Sequence, residues 1–379
     1  MQNNFNNEIN NIPVFIYGLL EEDERRNYMR IYRKQLRDSQ NPFEMPEVEF
    51  IKTFRLNQDL TRILIEWLEP HAGIRRRTTK LPFYLEVLAT LNFLGTGSYQ
   101  HSVGSCTWVA MSQPAISRSL KKVCRLVTGL LMPEWIKFPT TMEEKTAIKG
   151  GFYEKFGFRG AIGCIDGTHV EIITPPITDV DHPPHVYIDR NGVHSINVML
   201  ICDSNCKILA CDARFPGSVH DSAIFRVSDI RNNLRMCFEN GDDTSWLIGD
   251  SGYGQEPWLF TPIPVVAPGS PQERYNQLLR STRNPIERTN GILKGRFRCL
   301  IKHRVLHFHP VQAAYIIYAA STLHNIALWA NLALEEDEIV VENDEGNGDN
   351  AVGIVEPEQN CFNLGRAARE NYIRRNIIQ

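Results

Sequence analysis

An α/β layer fold with a helical module on its amino-terminal side is the architecture this chain predicts, and three observations predict it. Between residues 155 and 330, short apolar runs of strand type come before longer helical segments, an order that suits a mixed sheet covered by helices rather than a barrel or a repeat array. Residues 48–130 read instead as successive helices. Three acidic residues, far apart in the chain, each sit beside a core element: Asp166 in GCIDGTH, Asp250 in LIGDSGY and Glu287 in NPIERTNGILKGRF.

Asp166 and Asp250 each close an apolar run, AIGCI and WLI, whereas Glu287 opens a basic segment of helical spacing. Two strand ends and one helix can present three hard oxygen ligands to divalent ions, as in-line phosphoryl transfer requires. A lone Asp after a strand is more often a turn residue, so the reading depends on the surrounding words. The strand-type runs are FRGAIGCIDGTHVEII, HSINVMLICD, CKILACDARF and SWLIGDSGY. GSVHDSAIFR reads as a turn entering a helix, with Ser218 or the following residues near its start, and a helix-rich end runs from about 284 to 331. Its last part, VQAAYIIYAASTLHNIALWANLAL, is apolar on all sides and so implies deep packing.

The 379 residues are 42% hydrophobic and 22% charged, enough for one sizeable core and a smaller module. No run approaches a membrane-spanning length and the start has no basic leader, so neither secretion nor a membrane partner is expected. Nine cysteines without framework spacing point to free thiols in a reducing compartment, and Cys202, Cys206 and Cys211 read as core and turn residues rather than a zinc site. The net charge of -3 conceals an uneven distribution: residues 335–349 hold eight acids and no Lys or Arg, and the remainder carries +5. From Arg280 to Arg304 there are eight Arg or Lys residues and one acid, Glu287. Such a run is also what a solvated face looks like, but here a polyanion drawn to it would meet a carboxylate.

Five regions follow: a polar, partly helical arm at 1–47, a helical module at 48–130, a connector at 131–154, the α/β core at 155–330, and an acidic segment with a basic tail at 331–379. Within the module, TWVAMSQPAISRSLKKVCRLV forms a tight helix pair. Ser112 caps the second helix, Pro114 lies in its first turn, and Ala115, Ile116, Leu120 and Val123 form its buried side. A helix-turn-helix that reads the DNA major groove and an ordinary helical hairpin both fit this pattern. In the first case Gln113 and Arg118 touch base edges while Lys121 and Lys122 meet phosphates.

IDGTH at 165–169, PGSVHDS at 216–222, GDSGY at 249–253 and ERTNGILKGRFRCL at 287–300, in that order, resemble the DDE endonuclease domain of the PIF/Harbinger transposases and their domesticated HARBI-type relatives. The resemblance runs through roughly 150–330, and LNFLGTGSYQHSVGSCTWVAMSQPAISR is similar to the family's helix-turn-helix region. It implies a ribonuclease H-like nuclease core with Asp166 on the first strand, Asp250 just after the fourth and Glu287 on a later helix. The three acids are then the catalytic metal ligands, binding Mg²⁺ for which Mn²⁺ can substitute, with Asp166 as the bridging ligand. Asp221, in a family word, is the rival ligand but is expected to support the site. His169 lies near phosphate or makes a structural hydrogen bond. Asn290, Lys294 and Arg298 recur from Glu287 at near-helical spacing, so they extend its face toward DNA, with Lys294 as a phosphate clamp; Arg296 and Arg298 equally fit a solvated helix face.

The activity implied is metal-dependent hydrolysis of DNA phosphodiester bonds. The alternative is a domesticated protein that binds DNA or a partner and cuts little. A nucleotide hydrolase is disfavoured because the chain has no GxxxxGK[ST] loop. Double-stranded DNA, a separately encoded Myb-like DNA-binding protein, self-association into a homo-oligomer, and a nuclear setting extending to the cytoplasm complete the expectations.

Overall fold

The computed structural model of the chain describes residues 22–73, 81–334, 336–340 and 358–378. The first part of the polar arm and most of the acidic stretch lie outside the described residues.

Helices α1 (Glu22–Ser39), α2 (Glu47–Phe54), α3 (Gln58–Leu68), α4 (Phe83–Thr96), α5 (Gln100–Ser105) and α6 (Gln113–Leu126) precede the sheet. The sequence from Glu49 to Pro70 reads as one helix, but the structure divides it. Arg55 takes a left-handed φ of 66° and ends α2, and the Asn57 side chain then caps α3 by accepting from the Leu60 amide at 2.8 Å. Ser112 stands at the cap position of α6 without a side-chain capping bond, and Pro114 occupies the first turn. Ala115, Ile116, Leu120 and Val123 are buried as the apolar spacing requires, joined by Ser119 and Cys124. Gly104 lets α5 approach the turn before α6, because a Cβ there would stand 2.3 Å from the Met111 carbonyl oxygen. On the far side of that turn, Arg37 of α1 donates to the Ala110 carbonyl.

Helices α7 (Met132–Trp135) and α8 (Met142–Phe156) follow. The stretch expected as a connector is therefore largely helical, and α8 begins with a reciprocal capping box between Thr141 and Glu144. Lys145 of α8 is buried against Asp242 at 2.8 Å, tying this helix to the core.

Strands β1 (Ala161–Glu171), β2 (Ser195–Cys202), β3 (Ile208–Pro216), β4 (Trp246–Ile248) and β5 (Leu259–Phe260) form one sheet in the order β3-β2-β1-β4-β5. The β1–β2 and β2–β3 pairs are antiparallel, and the β1–β4 and β4–β5 pairs are parallel. This mixed sheet, preceded by a helical bundle and covered on both faces, is the ribonuclease H-like α/β architecture expected. Helices α9 (Asp221–Arg226) and α10 (Asp229–Glu239) pack with Ile162, Ile165 and Met199 on one face. On the other lie α11 (Pro271–Arg296) and α12 (Pro310–Trp329), in a hydrophobic core shared with the amino-terminal helices.

In α12 even the polar residues Ser321, Thr322, His324 and Asn325 are buried. Asn325 satisfies this burial by accepting from the Ile208 amide and donating to its carbonyl, which pins the helix to β3. Helix α13 (Gln359–Asn376), the basic tail, folds back on the body. Arg369 donates to the Thr261 carbonyl at 3.0 Å, and Tyr372 stacks on Phe158.

Candidate active site

Asp166 lies in the middle of β1 rather than at a strand end, because the ladder continues past it: Asp166 pairs with Leu200 and Glu171 with Ser195. Asp250 stands two residues beyond β4, and its Oδ1 accepts from the Gly252 amide at 2.9 Å. Since β1 and β4 are parallel neighbours, the two carboxylates meet in the middle of the sheet, beyond the carboxyl end of β4.

Glu287 does not open its helix. It sits well inside the 26-residue α11, which begins at Pro271 under a Ser270 cap, and Pro285 is an interior residue. Read alone, Pro285 resembles the first-turn proline of a new helix. The helix runs through it with hydroxyl and thiol contacts on nearby carbonyls, Thr289 Oγ1 donating to Pro285 at 2.7 Å and the Cys164 thiol to Thr282 at 3.1 Å.

One face of α11 then lies along β1. Arg283 donates to Asp166 Oδ1 at 2.8 Å and to Glu287 at 2.7 Å, and it stands 4.0 Å from Asp250. Asn290 donates to Asp166 Oδ2 at 3.2 Å, and Lys294 donates to the His169 carbonyl at 3.2 Å. Arg283 is thus the hub of the three acids, a role the sequence did not suggest. It falls four residues before Glu287, the one signal available.

Asp221 approaches from the other side as the first residue of α9, after a helix cap supplied by His220, one of the residues following Ser218. Its carboxylate is held by Asn197 Nδ2 at 2.6 Å, and the bare backbone of Gly167 makes room for it. A Cβ on Gly167 would fall 2.1 Å from Asp221 Oδ1. Gly167→Ala is therefore expected to displace Asp221 and cost about 1–3 kcal/mol as an overpacked contact. A thermal melt checks the stability, and unchanged melting would show that the close approach is not required.

Burial pushes Asp166 up to about 7, with Arg283 pulling down and Asp250 and Asp221 pushing the same way as burial. Asp250 is raised as well, burial again leading. Burial works to discharge Arg283, but Asp166, Asp250 and Glu287 hold its guanidinium above the usual value. Buried acceptors Asn290 Oδ1 and Asn197 Oδ1, and the donor Arg283 Nε, find no hydrogen-bond partner among the described residues. Oxygen-only carboxylate donors with spare amide oxygens beside them match a hard divalent cation. Arg283 supplies the positive charge in this arrangement.

His169 makes the structural bond. Its Nδ1 meets Ser195 Oγ at 2.9 Å, and that hydroxyl donates to Asp189 Oδ2 at 3.1 Å. Burial lowers the His169 pKa and favours the neutral ring.

Two of the expected DNA contacts are buried, and a third is partly engaged within the protein. Lys294 is only 2% exposed, lying under β1 on the face of α11 that turns inward. Arg296, equally buried, donates to the carbonyls of Leu332 and Arg55. Lys122 is ion-paired with Glu86 at 2.7 Å and rests over the Phe83 ring. Gln113, Arg118, Lys121 and Arg298 are exposed. Cys202, Cys206 and Cys211 are not gathered: Cys206 approaches the Pro285 carbonyl, while Cys211 meets Ser321.

A second group, absent from the sequence reading, has the ligand types and spacing to hold a divalent cation. The ligand atoms of Asp179, His182 and His309 all lie within 4.8 Å of one another. Asp179 and His182, three residues apart, were visible as a pair, but nothing local announced His309.

A family model described as "DDE superfamily endonuclease" matches residues 165–325, a span that holds Asp166, Asp221, Asp250 and Glu287. The chain is also 30% identical, over 289 residues that make up 76% of each protein, to a Xenopus laevis protein named "Putative nuclease HARBI1". The chain belongs to the PIF/Harbinger DDE superfamily. Within that superfamily it is 34% identical to the human protein of the same name over 246 residues, 64% of this chain and 66% of the human one. The match thus spans just under two thirds of the human relative's length. An Arabidopsis thaliana "Protein ALP1-like" is 24% identical over 252 residues, 64% of this DDE chain and 60% of that protein. No solved structure matches it. Among the described residues, no helix is long and apolar enough to cross a membrane.

Proposed function

We propose that this chain is a divalent-metal-dependent DNA endonuclease that hydrolyses phosphodiester bonds, with Asp166, Asp250 and Glu287 as its metal ligands. The observation that carries the reading is the convergence of these acids on Arg283, from the middle of β1, the end of β4 and α11. Carboxylates gathered in this way repel one another unless a cation joins them. A bound Mg²⁺ or Mn²⁺ supplies an activated water and offsets charge on the departing 3′ oxygen.

The chain's own residues supply the rest. Asn290 orients Asp166, and Asn197 orients Asp221 toward the same group of acids, close enough for Asp221 to steady the site or join its ligands. Arg283, released from the acids, is placed to hold a phosphate oxygen. Double-stranded DNA is the substrate we favour, in a nuclear setting, with Gln113, Arg118 and Lys121 on α6 and Arg298 after α11 as its exposed contacts. Work with a Myb-like partner or as a homo-oligomer is part of the same proposal by family resemblance.

A second reading draws on Arg283. If the guanidinium stays among the acids in the presence of metal, the chain is a DNA- or partner-binding descendant with little cutting activity.

Incubation of the full chain with double-stranded DNA in Mg²⁺, Mn²⁺ or chelator tests the first reading. Cleavage is expected only with metal, and DNA binding without cleavage in either metal favours the second. Changing Gln113 or Arg118 to Ala is expected to shift sequence preference by about 1–3 kcal/mol between matched and scrambled DNA, as measured by binding titrations. Equal preference in both variants and the parent would make the helix pair a structural hairpin.

A further inference from the structure

The segment between β1 and β2 carries Asp179 and His182, and both reach His309, the residue that caps α12. Asp179 Oδ2 lies 2.6 Å from His309 Nε2 and 3.3 Å from His182 Nδ1, and the two rings meet edge to face with centroids 4.6 Å apart. These side chains are 20%, 25% and 40% exposed in the order Asp179, His182 and His309, so an ion and its remaining waters can reach them.

We propose that Asp179, His182 and His309 form a second metal site, for a Zn²⁺-class cation, that staples the β1–β2 connection to the start of α12. The ligand chemistry separates it from the carboxylates around Arg283. Two imidazoles and one carboxylate suit a borderline ion such as Zn²⁺ or Co²⁺, whereas an oxygen-only set suits Mg²⁺. Three protein ligands leave at least one position for water.

The same contacts show what binding displaces. The Val311 amide donates to His309 Nδ1 at 3.3 Å, so in the metal-free ring the proton is on Nε2 and is shared with Asp179. Metal binding takes the Nε2 lone pair, moves that proton to Nδ1 and releases the long capping bond from Val311. No net proton leaves the neutral ring.

The staple has a consequence for the carboxylate group at the middle of the sheet. Beyond His182, the Val186 carbonyl accepts from the Ser218 amide at 3.1 Å, in the turn that leads to Asp221. Farther along, Asp189 holds Ser195. A metal at Asp179 therefore fixes one end of the segment that braces Asp221, without being part of the hydrolytic group. The proposal stands independently of whether the chain cleaves DNA.

The test is to strip the full chain with chelator, dialyse it, and titrate with Zn²⁺ and with Co²⁺, reading metal content and the visible absorption of bound Co²⁺. With excess Mg²⁺ present to occupy the carboxylate group, the parent and Asp166→Asn are expected each to take up one equivalent, with the d–d bands of a four- or five-coordinate ion and a raised melting temperature. His182→Ala and His309→Asn are expected to lose at least tenfold in affinity and the bands. Asparagine at 309 retains a capping acceptor, so α12 keeps its start and misfolding does not mimic ligand loss. Equal uptake by both His variants and the parent, or loss of the bands in Asp166→Asn with retention in both His variants, would overturn the site.

Discussion

Asp166→Asn is expected to lower metal-dependent DNA cleavage by roughly 10²–10³-fold or more, the scale on which removing one group that acts on transition-state charge is felt. The same change is expected to leave the metal-free protein as stable at pH 8 as the parent, or more so. The reason is the position of the carboxyl in the middle of β1, where burial raises its pKa to about 7. In the unfolded chain it titrates near 4. Between these values the folded protein holds the proton more tightly, so this group's contribution to stability is present below pH 4 and is lost as pH rises toward 7. An amide does not ionise, and the Asp166→Asn melting temperature should fall less across that window than the parent's. Cleavage assays and melts from pH 4 to 8 check both halves. Parent-like cleavage would remove Asp166 from the chemistry, and identical pH slopes would remove it from the stability argument.

Arg283→Gln carries the second large effect, on binding as well as folding. The guanidinium bonds Asp166 and the exposed Glu287 and faces Asp250, so without metal its loss leaves the largely buried Asp166 and Asp250 without their cation. That is expected to cost about 3–5 kcal/mol, the range for removing one partner of a buried ion pair. Added Mn²⁺ is then expected to restore the fold, because ion and guanidinium compete for the same carboxylates. The Mn²⁺ affinity of the variant should exceed the parent's by roughly ten- to hundredfold, from release of a competing charge at contact distance. Calorimetric titration, with melts run in parallel, measures both. Unchanged affinity would mean that Arg283 and the metal occupy separate places.

The residues differ in how much of this was legible before folding. Asp166 and Asp250 follow apolar runs that become β1 and β4, so local pattern was enough to place them near strands. Their meeting depends on the parallel β1–β4 pairing, a long-range event that no window of sequence contains. Glu287 was recognised through its surrounding words, but its helix start was misplaced because Pro285 is an interior proline.

The basic run from Arg280 to Arg304 misled most. Composition marks it as a surface, whereas helical period divides it. Arg283, Asn290 and Lys294 all reach β1 from one side of α11, so Lys294 is buried there while the acid it was meant to accompany, Glu287, stays exposed. Arg298 falls beyond the end of α11 and stays exposed. Asp221 needed the structure because its neighbour is the missing side chain of Gly167.

The most direct measurement is a crystal structure of the full chain grown with Mn²⁺, with anomalous scattering used to place the ions. Anomalous density between Asp166 and Asp250, reached by Glu287 or Asp221, with the Arg283 guanidinium displaced from the acids, is the predicted result. Arg283 still bonded to Asp166 and Glu287, with no density between Asp166 and Asp250 at saturating Mn²⁺, would contradict it.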